Sequence, residues 1–365
     1  MRIGDFCRTN IFTYSEKEKW SEIHYLDTGN ITKGKIDEVQ TLIPGVDTIP
    51  SRARRKVRLN DIIYSTVRPD QRHYGIIKAQ DKRMLVSTGF VVISIDQQKA
   101  DPDFIYYFLT QDDIVETLQA IGEQSTSAYP SIKPADIENL ELELPSLEVQ
   151  RAVGSFLRQL DEKCAANDAI NDNLQQQAQM IYTSLFITRA DPAWKQGHLS
   201  DLTIVKYGKD HKKLADGTYP VFGSGGIMRY VERPLYTGES VLIPRKGTLN
   251  NVMYVNEPFW SVDTMFYTEM RLPNVAKFVY HFVKSKDLVS MNAGSAVPSM
   301  TTTILNALEL TIPSDDRLAE FEALVAPMYM TVQTNNRESA KLAVLRDALL
   351  PRLMSGEIDV SSIEL

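Results

Sequence analysis

One pattern occurs twice in this chain, at residues 127–186 and again at 295–354, without a gap in either copy. The first copy opens SAYPSIKPADIENLELELPS and the second opens SAVPSMTTTILNALELTIPS. The positions that recur 168 residues later are Ser127, Ala128, Pro130, Ser131, Leu140, Glu141, Leu142, Pro145 and Ser146. Because a helix-length stretch of equal size follows each copy, we expect a pseudo-two-fold chain built as head, helix, head and helix.

Each helical stretch carries the apolar spacing of a paired helix. Residues 146–186 contain no proline and one glycine. Their apolar side chains recur on two heptad positions, which is typical of the seam of a coiled coil or of a long helix pair. The seam residues are Val153, Leu160, Leu174 and Ile181 with Leu157, Cys164, Ala178 and Leu185, and in the second stretch Phe321, Met328, Leu342 and Leu349.

One asparagine interrupts the apolar seam in each stretch, Asn167 in the first and Asn335 in the second. A polar seam residue lowers stability and commonly fixes the register of a helix pair. If the helices run antiparallel their midpoints meet, so we predict that Asn167 and Asn335 lie close together. Parallel helices would place both heads at one end, and the alternative for the asparagines is a solvated position on each helix.

The two heads are predicted to be α+β. In the first head we predict strands at Val57–Val67, Gly75–Lys78 and Gly89–Ile95, and one helix at Asp103–Ala120. In the second we predict strands at Ser240–Pro244, Val252–Val255 and Met265–Tyr267, and a helix at Val275–Val289. The predicted boundaries are 1–145 for the first head, 146–190 for the first helix, 191–313 for the second head and 314–365 for the second helix with its tail.

Charge is distributed unevenly along the chain. The formal net charge is −7, yet residues 51–84 contain ten Lys/Arg against three Asp. This segment therefore carries +7 and the remainder −14, and local potential matters more than the sum for steering a charged ligand. The chain shows no signal-peptide run, no apolar stretch long enough for a membrane span and two cysteines. We expect a soluble cytoplasmic protein.

Several motifs in this order resemble the DNA-specificity subunit of type I restriction-modification systems. They are NDIIYSTVRPDQRHYGII (60–77) and LVSTGFVVIS (85–94) in the first head, YPVFGSGGI (219–227), ESVLIPRKGTLNNVMYV (239–255) and PFWSVDTMFY (258–267) in the second, and LLPRLMSGEIDV (349–360) near the end. The resemblance covers essentially the whole chain. It implies two target-recognition domains that each read half of a split DNA sequence.

The same resemblance implies partners that carry the chemistry. The helices would act as a spacer and as the docking surface for two modification (methyltransferase) subunits, which bring S-adenosylmethionine. Restriction subunits would bring ATP-driven translocation and cleavage. This chain would supply neither catalysis nor a cofactor.

The sequence motifs agree with a chain that leaves catalysis to its partners. The glycine-rich stretch FGSGG (222–226) has Ser224 at the middle position, where the FxGxG pattern of a methyltransferase loop needs glycine, and Met228 breaks a GxGxxG reading. There is no GxxxxGK[ST] loop and no adenine-methylase tetrapeptide, and the five histidines lack metal-ligand spacing. We therefore predict a non-catalytic chain without a metal site.

Candidate DNA contacts in the first head are basic. Arg52, Arg54, Arg55 and Arg58 alternate along a predicted strand or loop, where they could meet phosphates or form a solvated surface run. Arg68 and Arg72 flank a Pro-Asp turn, with His73 following. A turn-borne arginine can contact guanine in the major groove, and the alternative is an internal ion pair with Asp70.

In the second head, Arg245 and Lys246 follow a strand, and we align Lys246 with Arg68 at an offset of 178. Lys209, Lys212 and Lys213 form a second basic cluster expected to contact phosphates. Asn250 could read an adenine edge, although a turn role fits it equally. Two other interpretations remain open: a protein-binding scaffold without DNA, and a self-contained methylase or nuclease.

Overall fold

The computed structural model describes residues 1–125, 129–291 and 299–358. Ser127 and Ala128 of the first repeat, and residues 295–298 of the second, lie outside the described residues. The chain divides into two compact units. One unit comprises Met1–Ala166 with Arg337–Leu365, and the other comprises Asn167–Asn336.

Both units combine short strands with helices. In the first unit the strands are β1 (Cys7–Thr9), β2 (Ile23–Leu26), β3 (Ile31–Thr32), β4 (Lys35–Ile36), β5 (Gln40–Leu42), β6 (Ala53–Lys56), β7 (Ile62–Ser65), β8 (Tyr74–Ile76), β9 (Met84–Ser87) and β10 (Phe90–Ile95). The helices that follow are α1 (Pro102–Thr110), α2 (Asp112–Glu123), α3 (Pro134–Glu138) and the long α4 (Leu147–Tyr182), which continues as a π turn at Thr183–Thr188.

The remaining elements are as follows. The strands are β11 (Lys195–His198), β12 (Thr203–Tyr207), β13 (Asp216–Gly223), β14 (Gly226–Val231), β15 (Ser240–Pro244), β16 (Met253–Val255), β17 (Trp260–Ser261), β18 (Met265–Met270) and β19 (Glu309–Ile312). The helices are α5 (Leu199–Leu202), α6 (Ala276–Lys284), α7 (Thr302–Asn306) and α8 (Asp315–Met354).

The two heads share one strand order. The first head has a sheet β1-β10-β7-β8 and the second has β12-β18-β15-β16, with antiparallel neighbours throughout. Each head adds a second sheet, β5-β2-β9-β6 in the first and β14-β13-β17 in the second. In both, one pair is parallel, β2 with β9 and β13 with β17. The internal repeat of the sequence therefore extends to the topology of the heads.

Strand β6 has no counterpart among the described strands of the second head. It pairs with β9 at the edge of its sheet, whereas the equivalent sheet of the second head ends at β17. Because β6 contains Arg54, Arg55 and Lys56, the basic segment of the sequence belongs to an addition specific to the first head.

Three predicted elements differ from the structure. The single helix expected at 103–120 is two helices, because the backbone of Gln111 is extended (φ −60°, ψ 144°) and separates α1 from α2. The helix expected at 275–289 ends at Lys284. The strand expected at 57–67 is shorter, since only Ile62–Ser65 pairs in the sheet.

In the first unit, α4 and the latter part of α8 pack side by side. Arg346 Nη1 lies 2.6 Å from Asp161 Oδ1, and Lys163 Nζ lies 3.3 Å from Glu338 Oε2. Because the partner numbers fall as the α4 numbers rise, these segments are antiparallel. Val153 and Leu157 of α4 share the apolar core of this unit with Leu350 and Leu353 of α8.

In the second unit, the rest of α4 pairs with the beginning of α8 in the same antiparallel sense, since Asn167 meets Asn335 whereas Tyr182 meets Phe321. The buried Asn167 donates from Nδ2 to the carbonyl oxygen of Asn335 at 3.5 Å. Asn335 Nδ2 donates to Asn171 Oδ1 at 2.9 Å, and Asn171 Nδ2 donates to Asn336 Oδ1 at 2.9 Å. The two seam asparagines therefore lie close together, within a cluster of four asparagines.

The described helices offer no bilayer-spanning candidate, since none is both long and apolar enough to cross a membrane.

Candidate nucleic-acid interface

Equivalent loops follow the central strands β7 and β15. In the first head, Val67 forms a bridge with Ser131, and Arg68 N donates to Pro130 O at 2.9 Å. In the second head, Lys246 forms the bridge with Ser299, which is Ser131 moved by 168 positions. Val67 is therefore the counterpart of Lys246, and the offset here is 179 rather than the 178 inferred from the sequence.

With the offset of 179, the residue of the second head that is equivalent to Arg68 is no longer Lys246. The structural counterpart of Arg68 is Gly247, and both residues adopt the left-handed backbone region, with φ of 49° and 85°. The geometry of the loop, not the charge of one residue, is what the two heads share. Glycine adopts this conformation without steric cost, whereas arginine adopts it rarely. Arg68 is therefore an unusual residue at this position of the loop.

The guanidinium groups of Arg68 and Arg72 have different surroundings. Arg68 lies over the ring of Tyr129, 4.5 Å from its centroid. Arg72 pairs with Asp112 at 2.7 Å. Neither arginine forms the ion pair with Asp70 that the sequence left open, as far as the described residues show. Arg68 is therefore the better candidate for contact with DNA.

His73 has a structural role in the described chain. Its Nδ1 lies 2.6 Å from the carbonyl oxygen of Ile31 and its ring also approaches Thr32. These contacts hold the turn after Arg72 against β3. The imidazole is half-buried rather than presented on the surface.

The basic segment around β6 is partly neutralised. Arg54 pairs with Glu16 at 3.0 Å and Lys56 pairs with Glu18. Arg55 is half-buried, and burial lowers its pKa below the ordinary value. Two of the three cations of β6 are therefore paired with carboxylates, which reduces the free positive charge of this strand.

Two arginines beside β6 remain available. Arg52 is exposed, and the exposed Arg58 stacks on the ring of Phe12 at 3.5 Å. Among the described residues neither has a carboxylate within ion-pair distance. Together with Arg68 they are predicted DNA contacts of the first head that have no ion pair among the described residues.

Three loops of the second head converge at one end of β13 and β17. Trp260 Nε1 donates to Lys209 O at 2.8 Å, which holds the loop of Lys209, Lys212 and Lys213 against β17. Asn251 Nδ2 donates to Ser224 O at 2.7 Å, which holds the β13–β14 turn against the loop after β15. The three lysines are exposed, so this end of the second head presents free positive charge.

The remaining predicted residues of the second head lie in these loops. Arg245 lies over the ring of Tyr207 at 5.3 Å and donates from Nη1 to Asp263 O at 3.3 Å. Lys246 and Asn250 are exposed. The side chain that joins the two turns is that of the neighbouring Asn251 and not that of Asn250.

Sequence reasoning missed three exposed apolar residues on β14. Ile227, Met228 and Tyr230 are 50 %, 61 % and 47 % exposed. An apolar run in a predicted strand is normally assigned to the core, so the sequence carried no signal that this strand lies at a sheet edge. The edge position follows from the strand order β14-β13-β17.

A metal site is not part of this surface. In the residues the structure describes, no group of three or more His, Cys, Asp or Glu side chains is placed to hold a metal ion.

Comparison with known proteins gives the class of this chain, a DNA-specificity subunit. The family model for the type I restriction modification DNA specificity domain matches residues 1–176 and 193–317. The chain belongs to this family, and as a specificity subunit it recognises DNA and is not the catalytic component.

Individual relatives span most or nearly all of the chain at low identity. The HindI specificity subunit of Haemophilus influenzae is 21% identical, with 98% of both chains covered. The MjaIX specificity subunit of Methanocaldococcus jannaschii is 21% identical, with 79% of this chain and 76% of the relative covered. The crystal structure of the type I restriction-modification S subunit from M. genitalium aligns with a TM-score of 0.61 at 18% identity, covering 97% and 95%. This likeness shows a shared fold.

Proposed function

We propose that the two heads read the two halves of a bipartite DNA site, with residues 1–145 and 191–313 as the target-recognition domains. The observation that carries this proposal is the strand order that both heads share beneath unlike loops. A repeated scaffold with different loops suits two half-sites of different sequence. The cations that we assign to DNA are Arg52, Arg58 and Arg68 in the first head and Lys209, Lys212, Lys213, Arg245 and Lys246 in the second, with Asn250 as a candidate base reader.

We further propose that the helices within 146–190 and 314–365 set the gap between the half-sites. The antiparallel contacts inside each unit support a coiled-coil spacer. The asparagine cluster of Asn167, Asn171, Asn335 and Asn336 supports a fixed register, because a one-residue slip leaves buried amides without partners. A fixed register gives one gap length.

The partners follow from the family. We propose that the helices dock two modification subunits carrying S-adenosylmethionine, and that restriction subunits add ATP-dependent cleavage. This assembly acts on cellular DNA, so a cytoplasmic location fits it.

The test uses the chain co-expressed with its modification subunit. The methylated motif in the host defines the site, and duplexes carrying that motif are then titrated with the purified complex. Scrambling either half-site, or adding one base pair to the gap, should each weaken binding by at least 10³-fold, on the order of a specific-to-nonspecific ratio. Equal affinity for all these duplexes would refute the proposal. A matched control is a substitution inside the gap, which should leave affinity unchanged.

A further inference from the structure

Strands β13 and β14 form a two-stranded antiparallel ribbon in the second head. The ribbon pairs Pro220 with Tyr230 and Phe222 with Ile227, and it turns at Ser224 and Gly225. Strand β14 is the outer edge of its sheet. Exposed edges are usually protected by charged side chains, yet this edge displays Ile227, Met228 and Tyr230, each about half exposed or more.

The one cation in this strand does not protect the edge. Arg229 Nη2 donates to Leu214 O at 3.0 Å and pairs with Asp216 at 2.7 Å. Its charge is therefore used within the ribbon, and the neighbouring side chains remain apolar. A surface of this kind is expected to be covered in the functional assembly.

The surroundings of the ribbon indicate what covers it. Its turn is fixed to the loop after β15, since Asn251 donates to Ser224 O and the Cα of Gly247 faces the Ser224 side chain. That loop carries Arg245 and Lys246, which have no ion pair among the described residues. The loop of Lys209, Lys212 and Lys213 lies against β17, the next-but-one strand. An apolar ribbon among free cations is complementary to a polyanion that also offers apolar groups.

Double-stranded DNA has one such group. The major groove admits a two-stranded β-ribbon, and the thymine 5-methyl is the apolar group displayed there. Met228 is the most exposed of the three apolar side chains of β14. Its thioether lies at the turn, because a Cβ added to Gly223 would fall 2.5 Å from Met228 Sδ. Glycine at position 223 therefore leaves room for this side chain across the ribbon.

We propose that the β13–β14 ribbon enters the major groove and that Ile227 and Met228 recognise thymine methyl groups in one half-site. This inference rests on the proposed function and deepens it by naming the base chemistry that the second head reads. The lysine and arginine loops on either side contact phosphates and hold the ribbon in place.

The experiment replaces each thymine of both half-sites, one at a time, with deoxyuridine, which removes the 5-methyl group alone. The assembled complex with its modification subunit is titrated against each duplex. In the wild type, uracil at a contacted thymine should weaken binding roughly three- to tenfold, the scale of one buried methyl group. Met228→Ala and Ile227→Ala should bind the thymine duplex more weakly and lose this sensitivity, in one half-site only.

Ile36→Ala is the matched control. Ile36 is an isoleucine of strand β4 in the first head and is 42 % exposed, so its removal should leave the uracil profile intact. All three substitutions lie on the surface, and unchanged thermal midpoints will show that the fold is retained.

Each other outcome decides the question. If the wild-type complex binds duplexes with scrambled half-sites as tightly as the intact site, the proposed function itself fails. If binding is specific but uracil has no effect, or has the same effect in the Met228 and Ile227 variants, the ribbon does not read methyl groups. The inference is also overturned if the half-site that the second head reads contains no thymine. Loss of assembly with the modification subunit, at an unchanged uracil profile, would assign the ribbon to a protein contact.

Discussion

The hydroxyl of Tyr107 donates a hydrogen bond to Asp161 Oδ2 at 2.6 Å, which links α1 of the first head to α4. The second head has the equivalent contact between His281 of α6 and Tyr329 of α8, at 2.9 Å. The helical residues Asp161 and Tyr329 are related by the 168-residue offset. Each head is thus held to a long helix by a polar contact at the same place, although the chemistry differs.

Arg346 should stabilise the first of these contacts. It reaches the other oxygen of Asp161 at 2.6 Å, and this carboxylate raises the pKa of the guanidinium above its ordinary value. Arg346→Met leaves a largely buried carboxylate with the Tyr107 hydroxyl alone. We expect the free energy of unfolding to fall by about 2 kcal/mol, measured by chemical denaturation. Arg352→Met, which removes an exposed pair with Glu357, is the control and should change it by less than about 0.5 kcal/mol. Equal effects would contradict this role.

His281 should make stability depend on pH. Burial lowers the pKa of its imidazole to about 3, with a further contribution from the Lys284 cation. The ring stays neutral, with Nδ1–H donating to Gln179 Oε1 at 2.8 Å and Nε2 accepting from the Tyr329 hydroxyl. An unfolded imidazole binds its proton near pH 6.5. The unfolded state therefore gains a proton first as the pH falls, and stability is lost between about 6.5 and 3.

The measurement compares the free energy of unfolding at pH 7.5 and pH 5.0. His281→Gln should show a smaller loss than the wild type, by up to about 2 kcal/mol. His198→Gln removes an exposed imidazole and should retain the wild-type dependence. A wild-type profile in the His281 variant would mean that another group titrates.

Lys277 should be essential to the second head. It is 4 % exposed and lies 2.8 Å from Glu239 and 2.6 Å from Glu322 of α8. Among the described residues, Lys277 is the one cation that pairs with these two partly buried carboxylates, so we expect Lys277→Met to cost about 3 kcal/mol. Adding Glu322→Gln should recover part of that loss, and an additive double variant would show that the charges are independent. Lys206→Met, beside Glu269 at 4.0 Å on the surface, is the matched control.

Gly154 should tolerate no side chain although it lies inside a helix. Alanine normally stabilises a helix interior by about 1 kcal/mol relative to glycine. A Cβ at Gly154, however, would lie 2.7 Å from Asp101 Oδ1 and 3.0 Å from Phe104 N, the two atoms of the α1 N-cap hydrogen bond. Gly154→Ala should therefore lower the thermal midpoint, whereas Ser155→Ala on the exposed face should not. A higher midpoint for Gly154→Ala would show that α1 moves away freely.

Periodicity predicted the long helices well because a heptad pattern is local. Leu157 and Val153 are buried as their spacing requires, and the α+β character of both heads follows from strand-like runs. The interruption at Gln111 could not be predicted, because no proline or glycine marks it and the break depends on how α1 and α2 each pack into the core of the first unit. The additional strand β6 could not be predicted from local sequence either, because it is recognised only when the strand orders of the two heads are compared.

The site was harder to predict than the fold. Composition counts the cations of residues 51–84 but not their partners, and Arg54, Lys56 and Arg72 turn out to be paired. The one-residue error that aligned Lys246 with Arg68 has a similar origin, since loop lengths vary while bridges such as Val67–Ser131 are kept. Exposure of Met228 depends on a sheet edge that no local pattern reveals.

The order in which the chain is synthesised does not match the order of its units. Residues 167–336 are continuous, so that unit can complete its core as soon as it has emerged from the ribosome. The unit that begins at Met1 must wait, because Leu350 and Leu353 close its core from the far end of the sequence. The strands and helices of this unit that are translated before α4 therefore have an incomplete apolar core while some 170 intervening residues are translated, at roughly 5–20 residues per second. A shortened α8 should therefore destabilise the unit that contains Met1–Ala166.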